Sequence, residues 1–270
     1  RAYRALKAGH TGSLDPLATG VLPICFGKAT RLAAELLDAD KAYRATVLLG
    51  VSTDSGDADG SPVANSDVST LDAGALLAAL PRFLGAQQQV PPMYSALKRD
   101  GQPLYKLARR GIEVERAPRA ITIHELRLVA QTPTTFSFEV RCSKGTYVRT
   151  LAADWAAAVG QCAHLTALRR LRLGAFDVAA TVTLEQVEAA GDAQRAAFLR
   201  PLESLLDAWP KLQVDELAAG HLRHGQAVSV DGAPVAGRVA VLDLAGRVLC
   251  LAEIGSAGEV MPKRWLGATA

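Results

Sequence analysis

One short segment concentrates the residue types that could perform chemistry. It runs Gly9-His10-Thr11-Gly12-Ser13-Leu14-Asp15-Pro16-Leu17-Ala18-Thr19-Gly20-Val21-Leu22-Pro23 and holds a single carboxylate, Asp15. Its three glycines and two prolines disfavour regular structure, while its apolar residues anchor it in a core. Because Pro16 biases Asp15 toward an extended backbone, the segment predicts a carboxylate on a rigid, partly buried loop. Such a group suits a catalytic acid, base or nucleophile, and an Asx turn that accepts local backbone N–H bonds is the alternative.

Other chemical motifs are missing from the sequence. Gly20–Gly27 lacks the Gly-Lys-Ser/Thr ending of a P-loop, and there is no G-x-G-x-x-G, H-E-x-x-H or G-x-S-x-G pattern. The four cysteines form no C-x-x-C pair, which favours reduced, buried thiols over a disulfide framework. The sequence therefore predicts neither a cofactor nor a metal site.

The small formal net charge of +3 conceals an uneven distribution. Residues 35–72 contain eight acidic and two basic residues, whereas residues 95–150 contain eleven basic and five acidic ones. Arg169, Arg170 and Arg172 follow. A basic stretch of this size could follow a phosphate backbone, and a solvated surface with ordinary ion pairs is the alternative.

Length and composition limit what can position Asp15. The 270 residues, 49% of them hydrophobic, suit one large domain plus a small one and exclude disorder as the main state. The apolar runs are too short for a membrane-spanning helix. Apolar periodicity, capping residues and turn residues predict the elements that follow. They are a helix over Lys28–Asp40, a strand over Ala42–Gly50, a loop over Ser52–Asp67, a helix from Asp72 to about Leu80, a basic loop-helix-loop over Tyr94–Pro118, strands over Ile121–Ala130 and Thr134–Cys142, a helix over Val148–Val159, a helix after Thr183, and strands over Arg238–Asp243 and Arg247–Ile254.

Five sequence blocks in a fixed order resemble one known family. They are Gly9–Pro23, Lys41-Ala42-Tyr43-Arg44, Pro92-Met93-Tyr94-Ser95-Ala96-Leu97-Lys98, Cys142-Ser143-Lys144-Gly145-Thr146-Tyr147-Val148-Arg149-Thr150 and Leu168-Arg169-Arg170. Together they resemble the bacterial tRNA pseudouridine-55 synthases, the TruB-type pseudouridine synthases. The resemblance covers about residues 9–175 strongly and continues more weakly to the C-terminus.

The resemblance implies an α/β (α+β) fold. It consists of a pseudouridine synthase domain, with a mixed, largely antiparallel sheet and a central cleft, followed by a small β-rich PUA domain that binds RNA. We expect the catalytic domain over residues 1–207, a thumb-like RNA-binding insertion at about 92–118, and the PUA-like domain over 208–270. The family usually carries a further upstream segment with a Lys-Pro-x-Gly turn, so we expect an N-terminal segment to be missing.

The resemblance also implies an activity, the isomerisation of uridine to pseudouridine at position 55 in the T-loop of tRNA. The N1–C1′ bond breaks, the flipped-out base rotates, and it rejoins the sugar through C5 without a cofactor. Asp15 would be the essential carboxylate, attacking C1′, attacking the base or removing a sugar proton. Arg149 would hold Asp15 in place, and Tyr43 would stack on the base and assist proton transfer at C5.

Four further residues receive binding roles from the same resemblance. His10 would fill the space that the flipped base leaves or contact the RNA. Tyr147 and Leu168 would line the pocket, and Lys144 would contact phosphate or place its turn. The alternative for His10 is a loop histidine bonded to the backbone, and the alternative for Tyr147 and Leu168 is ordinary core packing.

The expected partner is the T-arm stem-loop of tRNA. We expect a cytoplasmic monomer with no membrane contact and no obligatory protein partner. Two other functions stay open at this point: an RNA-binding or RNA-folding factor whose catalysis is secondary or lost, and a guide-RNA-dependent relative that needs partner proteins.

Overall fold

The computed structural model describes residues 2–72, 74–207 and 209–267, which belong to two compact units. The larger unit comprises His10–Ile24 and Ala33–Thr181, and the smaller unit comprises Arg1–Gly9, Cys25–Leu32 and Val182–Ala270. The border predicted at residues 207 and 208 lies within the smaller unit, and the PUA-like character of residues 208–270 stays a prediction.

The described residues form short helices and a larger number of strands. In chain order the strands are β1 (Ala8–His10), β2 (Ala18–Gly20), β3 (Ile24–Phe26), β4 (Lys41–Leu49), β5 (Val51–Thr53), β6 (Pro62–Asn65), β7 (Gly85–Gln89), β8 (Lys98–Arg99), β9 (Gln102–Pro103), β10 (Arg119–Gln131), β11 (Thr135–Cys142), β12 (Ala163–Leu173), β13 (Phe176–Asp177), β14 (Lys211–Gln213), β15 (Gly237–Leu242), β16 (Val248–Ile254) and β17 (Val260–Trp265). The α-helices are α1 (Ala33–Leu37), α2 (Ala75–Ala79), α3 (Leu104–Ala108), α4 (Val148–Ala157), α5 (Leu184–Ala189), α6 (Asp192–Ala197) and α7 (Glu216–Arg223). No helix in the described ranges combines the length and the apolar composition that crossing a membrane requires.

A seven-stranded mixed sheet organises the larger unit. Its strand order is β13-β12-β4-β11-β10-β7, and β2 pairs with β12. The β2–β12 pairing is parallel, whereas the other described ladders of this sheet are antiparallel. The mixed, largely antiparallel sheet that the family resemblance implies is confirmed.

The core of the larger unit lies between this sheet and α4. Every second residue of β11 is buried, as the two-residue period of a strand with one covered face requires. The Trp155 ring of α4 lies 5.2 Å from the Phe136 ring and 5.4 Å from the Phe138 ring. Its indole N–H donates to the Leu76 carbonyl oxygen at 2.9 Å, so the buried polar atom is satisfied. This packing fixes α4 against the sheet.

Several predicted elements match the structure. The strands predicted over 42–50, 121–130 and 134–142 correspond to β4, β10 and β11, and the helix predicted over 148–159 is α4. The Thr183 hydroxyl accepts from the Gln186 N–H while the Gln186 side chain accepts from the Thr183 N–H, which confirms the predicted capping box of α5.

Other predictions of local structure were wrong. The helix predicted over 28–40 is divided into a 3₁₀ turn at Gly27–Arg31 and the short α1. The loop predicted over 52–67 contains β6, which pairs with β5. The segment 9–23, expected to be irregular, contains β2, because parallel pairing with β12 satisfies its backbone.

β12 was not predicted from the sequence, although this strand lies inside the sheet between β13 and β4. Two register shifts, between Leu165 and Ala167 and between Arg170 and Arg172, break its alternation of buried and exposed residues. One of its inward-facing residues is Arg170, which is 1% exposed, so an apolar pattern does not reveal the strand.

The smaller unit contains a four-stranded sheet in the order β14-β15-β16-β17. Its first ladder is parallel and the other two are antiparallel. β15 and β16 confirm the two predicted C-terminal strands, and Gly246 adopts φ +79° in the turn between them. Side chains of all four strands, together with Val214 and with Leu222 of α7, form a buried core cluster of this unit.

Candidate active site

The loop that carries Asp15 is attached to the sheet on both sides of that residue. The Asp15 carbonyl oxygen accepts from the Ala18 N–H at 2.9 Å, where β2 begins. The buried Arg170 guanidinium of β12 donates from Nε to the Val21 carbonyl oxygen at 2.7 Å and from Nη2 to the Gly12 carbonyl oxygen at 3.1 Å. Arg170 therefore holds the loop before and after the carboxylate.

A glycine makes this close attachment sterically feasible. Gly20 of β2 has φ +103°, and a Cβ atom there would lie 2.1 Å from the Arg170 carbonyl oxygen. That separation is shorter than any real carbon–oxygen contact. The last glycine of the segment thus serves the approach of β2 to β12.

The predicted surface role of the arginine triplet is wrong for Arg170, because its guanidinium is buried and donates to backbone carbonyls. Arg169 donates from Nη1 to the Thr19 hydroxyl at 3.2 Å, and the Arg172 guanidinium lies 3.6 Å from the Asp177 carboxylate. A run of three arginines thus divides into three different environments along one strand.

The Asp15 carboxylate forms a bidentate ion pair with Arg149. Arg149 Nε donates to Oδ2 at 2.9 Å and Nη2 donates to Oδ1 at 3.2 Å. Arg149 lies in the first turn of α4 and its side chain is only 4% exposed, whereas that of Asp15 is 34% exposed. The paired fork places a positive charge directly against the carboxylate and fixes its direction. The carboxylate of Asp15 thus faces an arginine rather than a local backbone turn.

The Arg149 guanidinium has further partners that hold it in place. Nη1 donates to the Ser55 carbonyl oxygen at 2.6 Å, and Nη2 donates to the Tyr94 carbonyl oxygen at 2.7 Å. A second carboxylate, that of Asp57, lies 3.8 Å from Nη1 and is 5% exposed. One buried cation therefore faces two carboxylates and two carbonyl oxygens.

Asp57 was not predicted as a site residue from the sequence. It lies among the eight acidic residues of 35–72, where nothing in residue type distinguishes it from its neighbours. In the structure the Ser55 hydroxyl donates to Asp57 Oδ1 at 2.5 Å and the Asp59 N–H donates to the same oxygen at 3.2 Å. The Ser-Gly-Asp spacing of a tight Asx-type turn is the signal that could have indicated it.

A pocket of about 150 Å³ opens beside the Asp15–Arg149 pair. Five of the seven predicted site residues line it: Asp15, Tyr43, Tyr147, Arg149 and Leu168. They come from the loop before β2, from β4, from the turn into α4 and from β12. Distant parts of the chain thus meet at one polar and aromatic cavity.

Two tyrosines contribute phenols to this pocket. Burial raises the pKa of Tyr43 to about 12, against an opposing effect of the nearby Arg170 charge. Burial also raises the pKa of Tyr147. The Gln89 side chain donates to the Tyr147 carbonyl oxygen at 3.1 Å and accepts from the Tyr147 N–H at 2.8 Å, which fixes the turn before α4. Both phenols are therefore neutral at physiological pH and positioned by the sheet or by this turn.

The other two predicted site residues do not line the pocket. His10 is exposed at the end of β1. Lys144 is exposed and its ammonium pairs with the Asp38 carboxylate at 2.8 Å. The RNA contacts predicted for His10 and Lys144 stay predictions.

Some of the acidic and basic residues that the sequence separates are paired in the structure. Besides Lys144 with Asp38, Arg141 lies 3.2 Å from the Asp40 carboxylate and 3.0 Å from that of Glu125. The ordinary ion-pair alternative is therefore correct for this part of the basic stretch.

Four of the six basic residues of the thumb segment, residues 92–118, differ in this respect. Lys98, Lys106, Arg109 and Arg110 are exposed, and none forms a salt bridge with another described residue. The predicted helix of this segment is α3, and a hairpin of β8 and β9 precedes it. This segment carries the positive charge that is not compensated locally.

The fold is similar to that of Cbf5 in solved complexes. The structure titled a Cbf5-Nop10-Gar1 complex matches with a TM-score of 0.74 and 23% identity, covering 98% of this chain and 78% of that one. The structure of an H/ACA RNP bound to a substrate RNA containing 2′-deoxyuridine matches with a TM-score of 0.72 and 22% identity, covering 99% and 78%. This likeness confirms the predicted fold class.

Sequence comparison identifies the class more closely. Residues 1–148 match the family described as TruB family pseudouridylate synthase (N terminal domain). Residues 149–207 match the tRNA pseudouridylate synthase B C-terminal domain, and residues 210–266 match Pseudouridine synthase II TruB, C-terminal. By these family matches and by its fold, the protein is a pseudouridine synthase, an isomerase.

Curated relatives agree over nearly the whole chain. The tRNA pseudouridine synthase B of Chromohalobacter salexigens is 49% identical over 267 residues, which are 98% of this chain and 87% of that protein. The protein of the same name from Pseudomonas aeruginosa is 49% identical over 264 residues, which are 96% and 86%. The chain belongs to the TruB family of pseudouridylate synthases, as the sequence blocks predict.

Proposed function

We propose that this protein converts uridine to pseudouridine at position 55 in the T-loop of tRNA, with Asp15 as the essential carboxylate. The observation that carries the proposal is the bidentate Asp15–Arg149 pair on the wall of a pocket lined by Tyr43, Tyr147 and Leu168. The tRNA substrate is supported by relatives about half identical to this chain that are named tRNA pseudouridine synthase B.

The dimensions and lining of the pocket suit a single pyrimidine. A cavity of about 150 Å³ accommodates a six-membered ring such as benzene. A uridine in a folded loop must leave its stack to reach such a cavity, and flipped bases are held between aromatic and apolar side chains. Tyr43 and Leu168 offer these faces, while Asp15 and Arg149 offer the charged wall.

The reaction needs a fixed, ionised carboxylate. Breaking the N1–C1′ bond and forming the C5–C1′ bond transfers the C5 proton away and leaves a proton on N1, so no electrons enter or leave. Attack of Asp15 on C1′, attack on the base and removal of a sugar proton all use the carboxylate in its ionised form. Arg149 supplies the charge and the orientation for each route.

Tyr43 is suited to the last step of the reaction. Because burial raises the pKa of Tyr43 to about 12, its hydroxyl carries its proton at physiological pH. A phenol in this state donates or accepts a hydrogen bond and can relay the C5 proton when the rotated base has rejoined the sugar. Its ring meanwhile stacks on the base.

The proposal includes the contacts outside the pocket. The thumb segment would bind the phosphate backbone of the T-arm, with His10, Lys144 and the PUA-like residues 208–270 contacting other parts of the tRNA. As the resemblance implies, the protein would act in the cytoplasm as a monomer, without an obligatory protein partner, a cofactor or a metal ion.

A tRNA transcript tests the proposal directly. We expect the purified protein alone to form pseudouridine at position 55, detected by carbodiimide labelling, because pseudouridine formation leaves the mass unchanged. A transcript with cytidine at position 55 is the control and should remain unlabelled. Binding without product would indicate an RNA-folding factor instead, and a requirement for a guide RNA or partner proteins would contradict the proposal.

The thumb segment predicts a steep salt dependence of tRNA binding. We expect affinity to fall by orders of magnitude between about 50 and 200 mM salt if six or more phosphates are contacted. Replacing Lys106 and Arg110 by Gln should weaken binding and reduce the slope of log K against log salt by about 1 to 2. Filter binding over a salt series measures both quantities.

Arg127→Gln is the matched control for this experiment. Arg127 is also exposed, but its guanidinium is paired with the Glu139 carboxylate at 2.7 Å. We expect this variant to keep the wild-type slope. An equal loss of slope in both variants, or a flat salt response of the wild type, would exclude a specific role of the thumb segment.

A further inference from the structure

One polar side chain on the pocket wall has no role in the network described so far. Ser95 follows Tyr94, whose carbonyl oxygen accepts from Arg149, and it lines the pocket together with Asp15 and Tyr147. Ser95 is only 6% exposed. Its hydroxyl oxygen is buried and forms no hydrogen bond with any described residue.

The position of Ser95 is fixed by its backbone rather than by its hydroxyl. Its N–H donates to the Met93 carbonyl oxygen at 2.9 Å, and its carbonyl oxygen accepts from the Tyr105 N–H at 3.1 Å. The hydroxyl lies near the Tyr147 phenol, but the geometry of the two groups is not that of a hydrogen bond. The side chain is thus held in place without being satisfied.

Such a hydroxyl destabilises the folded protein. Burying a donor and acceptor without a partner is unfavourable, and an apolar group of the same shape would be better tolerated. Four other buried polar atoms among the described residues also lack a partner, on Thr11, Gln87, Arg116 and Trp265. None of those four residues lines the pocket, whereas Ser95 does.

We propose that the Ser95 hydroxyl binds a hydrogen-bonding group of the target nucleotide. This contact would give the buried hydroxyl the hydrogen-bond partner that it lacks in the free protein. This inference rests on the proposed function. A hydroxyl can donate to O2, O4 or the ribose 2′-hydroxyl and can accept from N3–H, so it suits the polar edge of uridine. Tyr43 and Leu168 contact the faces of the base, and Ser95 supplies a neutral contact at its rim.

The test is Ser95→Ala, measured in two ways. We expect kcat/KM on the tRNA transcript to fall about tenfold, as the loss of one neutral hydrogen bond to substrate predicts. We expect the Tm of the free protein to stay unchanged or to rise, because the substitution removes an unsatisfied buried hydroxyl. A role in folding alone would instead lower the Tm.

Ser66→Ala is the matched control, because the Ser66 hydroxyl has hydrogen-bond partners and does not line the pocket. Ser66 lies outside the pocket, donates to the Gln161 side-chain oxygen at 2.7 Å and accepts from the Cys162 N–H at 2.8 Å. We expect this variant to lower the Tm and to leave kcat/KM unchanged. The two serines should therefore give reciprocal results.

A modified stem-loop distinguishes the base from the ribose as the partner. The inhibition constants of T-arm stem-loops with uridine or 2′-deoxyuridine at the target position are compared in wild type and Ser95→Ala. A penalty that persists with 2′-deoxyuridine assigns the contact to the base, and a penalty that disappears assigns it to the 2′-hydroxyl.

Two results overturn the proposal in distinguishable ways. If the wild type is active and Ser95→Ala has the same kcat/KM, or loses activity only together with Tm, Ser95 does not bind substrate. If the wild type forms no pseudouridine at all, the proposed function fails first and the role of Ser95 fails with it.

Discussion

Asp15→Asn is expected to abolish pseudouridine formation, lowering kcat by about three orders of magnitude or more. Removal of an essential nucleophile or base has an effect of this size in other enzymes. The amide has nearly the shape of the carboxylate and still offers one oxygen to Arg149. It carries no negative charge, so it can neither attack C1′ or the base nor remove a sugar proton. Product formation by carbodiimide labelling and tRNA affinity by filter binding are measured together.

The affinity for tRNA should survive this substitution. Asp15 is 34% exposed on the pocket wall, and the phosphate contacts proposed for the thumb segment do not involve it. Asp67→Asn is a suitable control, because Asp67 caps a 3₁₀ turn outside the pocket and asparagine caps equally well. Turnover that persists in purified Asp15→Asn would refute the mechanism, whichever of the three routes is considered.

The location of Asp15 is predictable from local sequence, but the location of its partner is not. Glycines, prolines and apolar residues around Asp15 indicate an anchored loop without reference to the rest of the chain. Arg149 lies 134 positions further along, and the contact arises because α4 packs on the same sheet that holds the Asp15 loop. Composition and motif spacing do not predict a contact between residues that lie so far apart in the sequence. Family resemblance was therefore needed to pair the two residues.

Asp57 and Arg170 show why charge statistics miss buried ions. Each lies in a run of like-charged residues whose other members are mostly exposed, so the run predicts a solvated surface for all of them. In the structure each is nearly inaccessible because its partners are brought from other strands and loops. Only the tertiary neighbours distinguish the structural charge from the surface charge.

The strands also differ in whether the sequence predicts them. β4, β10 and β11 were predictable because regular alternation and turn residues delimit them. β12 was not, since two register shifts and a buried arginine disrupt the pattern. The register between strands could not be predicted from the sequence either. Arg44 of β4 lies opposite Glu139 of β11, so two charged residues from separate segments form an ion pair.

Arg149→Ala is expected to remove most activity and to destabilise the protein, because Arg149 serves both carboxylates. Without the guanidinium the Asp57 carboxylate, 5% exposed, stays buried beside uncompensated carbonyl oxygens. Removing one partner of a buried pair costs about 3–5 kcal/mol of unfolding free energy. Asp15 at the same time loses the fork that orients it. Urea unfolding and kcat on the tRNA transcript measure the two effects.

Arg141→Ala is the matched control for Arg149→Ala, because it removes an arginine that is paired at the surface rather than buried. Arg141 is 37% exposed and pairs with Asp40 and Glu125. Exposed ion pairs contribute about 0–1 kcal/mol, so this variant should remain nearly as stable as the wild type and fully active. Wild-type kinetics in Arg149→Ala would contradict the role of Arg149 in catalysis.

A double variant separates folding from catalysis. Asp57→Asn combined with Arg149→Ala removes the buried uncompensated charge, so we expect part of the lost unfolding free energy to return. Activity should stay low, because Asp15 still lacks its bidentate partner and is no longer held in one direction. If activity returned together with stability, Arg149 would act only through the fold, and the orientation of Asp15 would have to depend on the loop contacts of Arg170 alone.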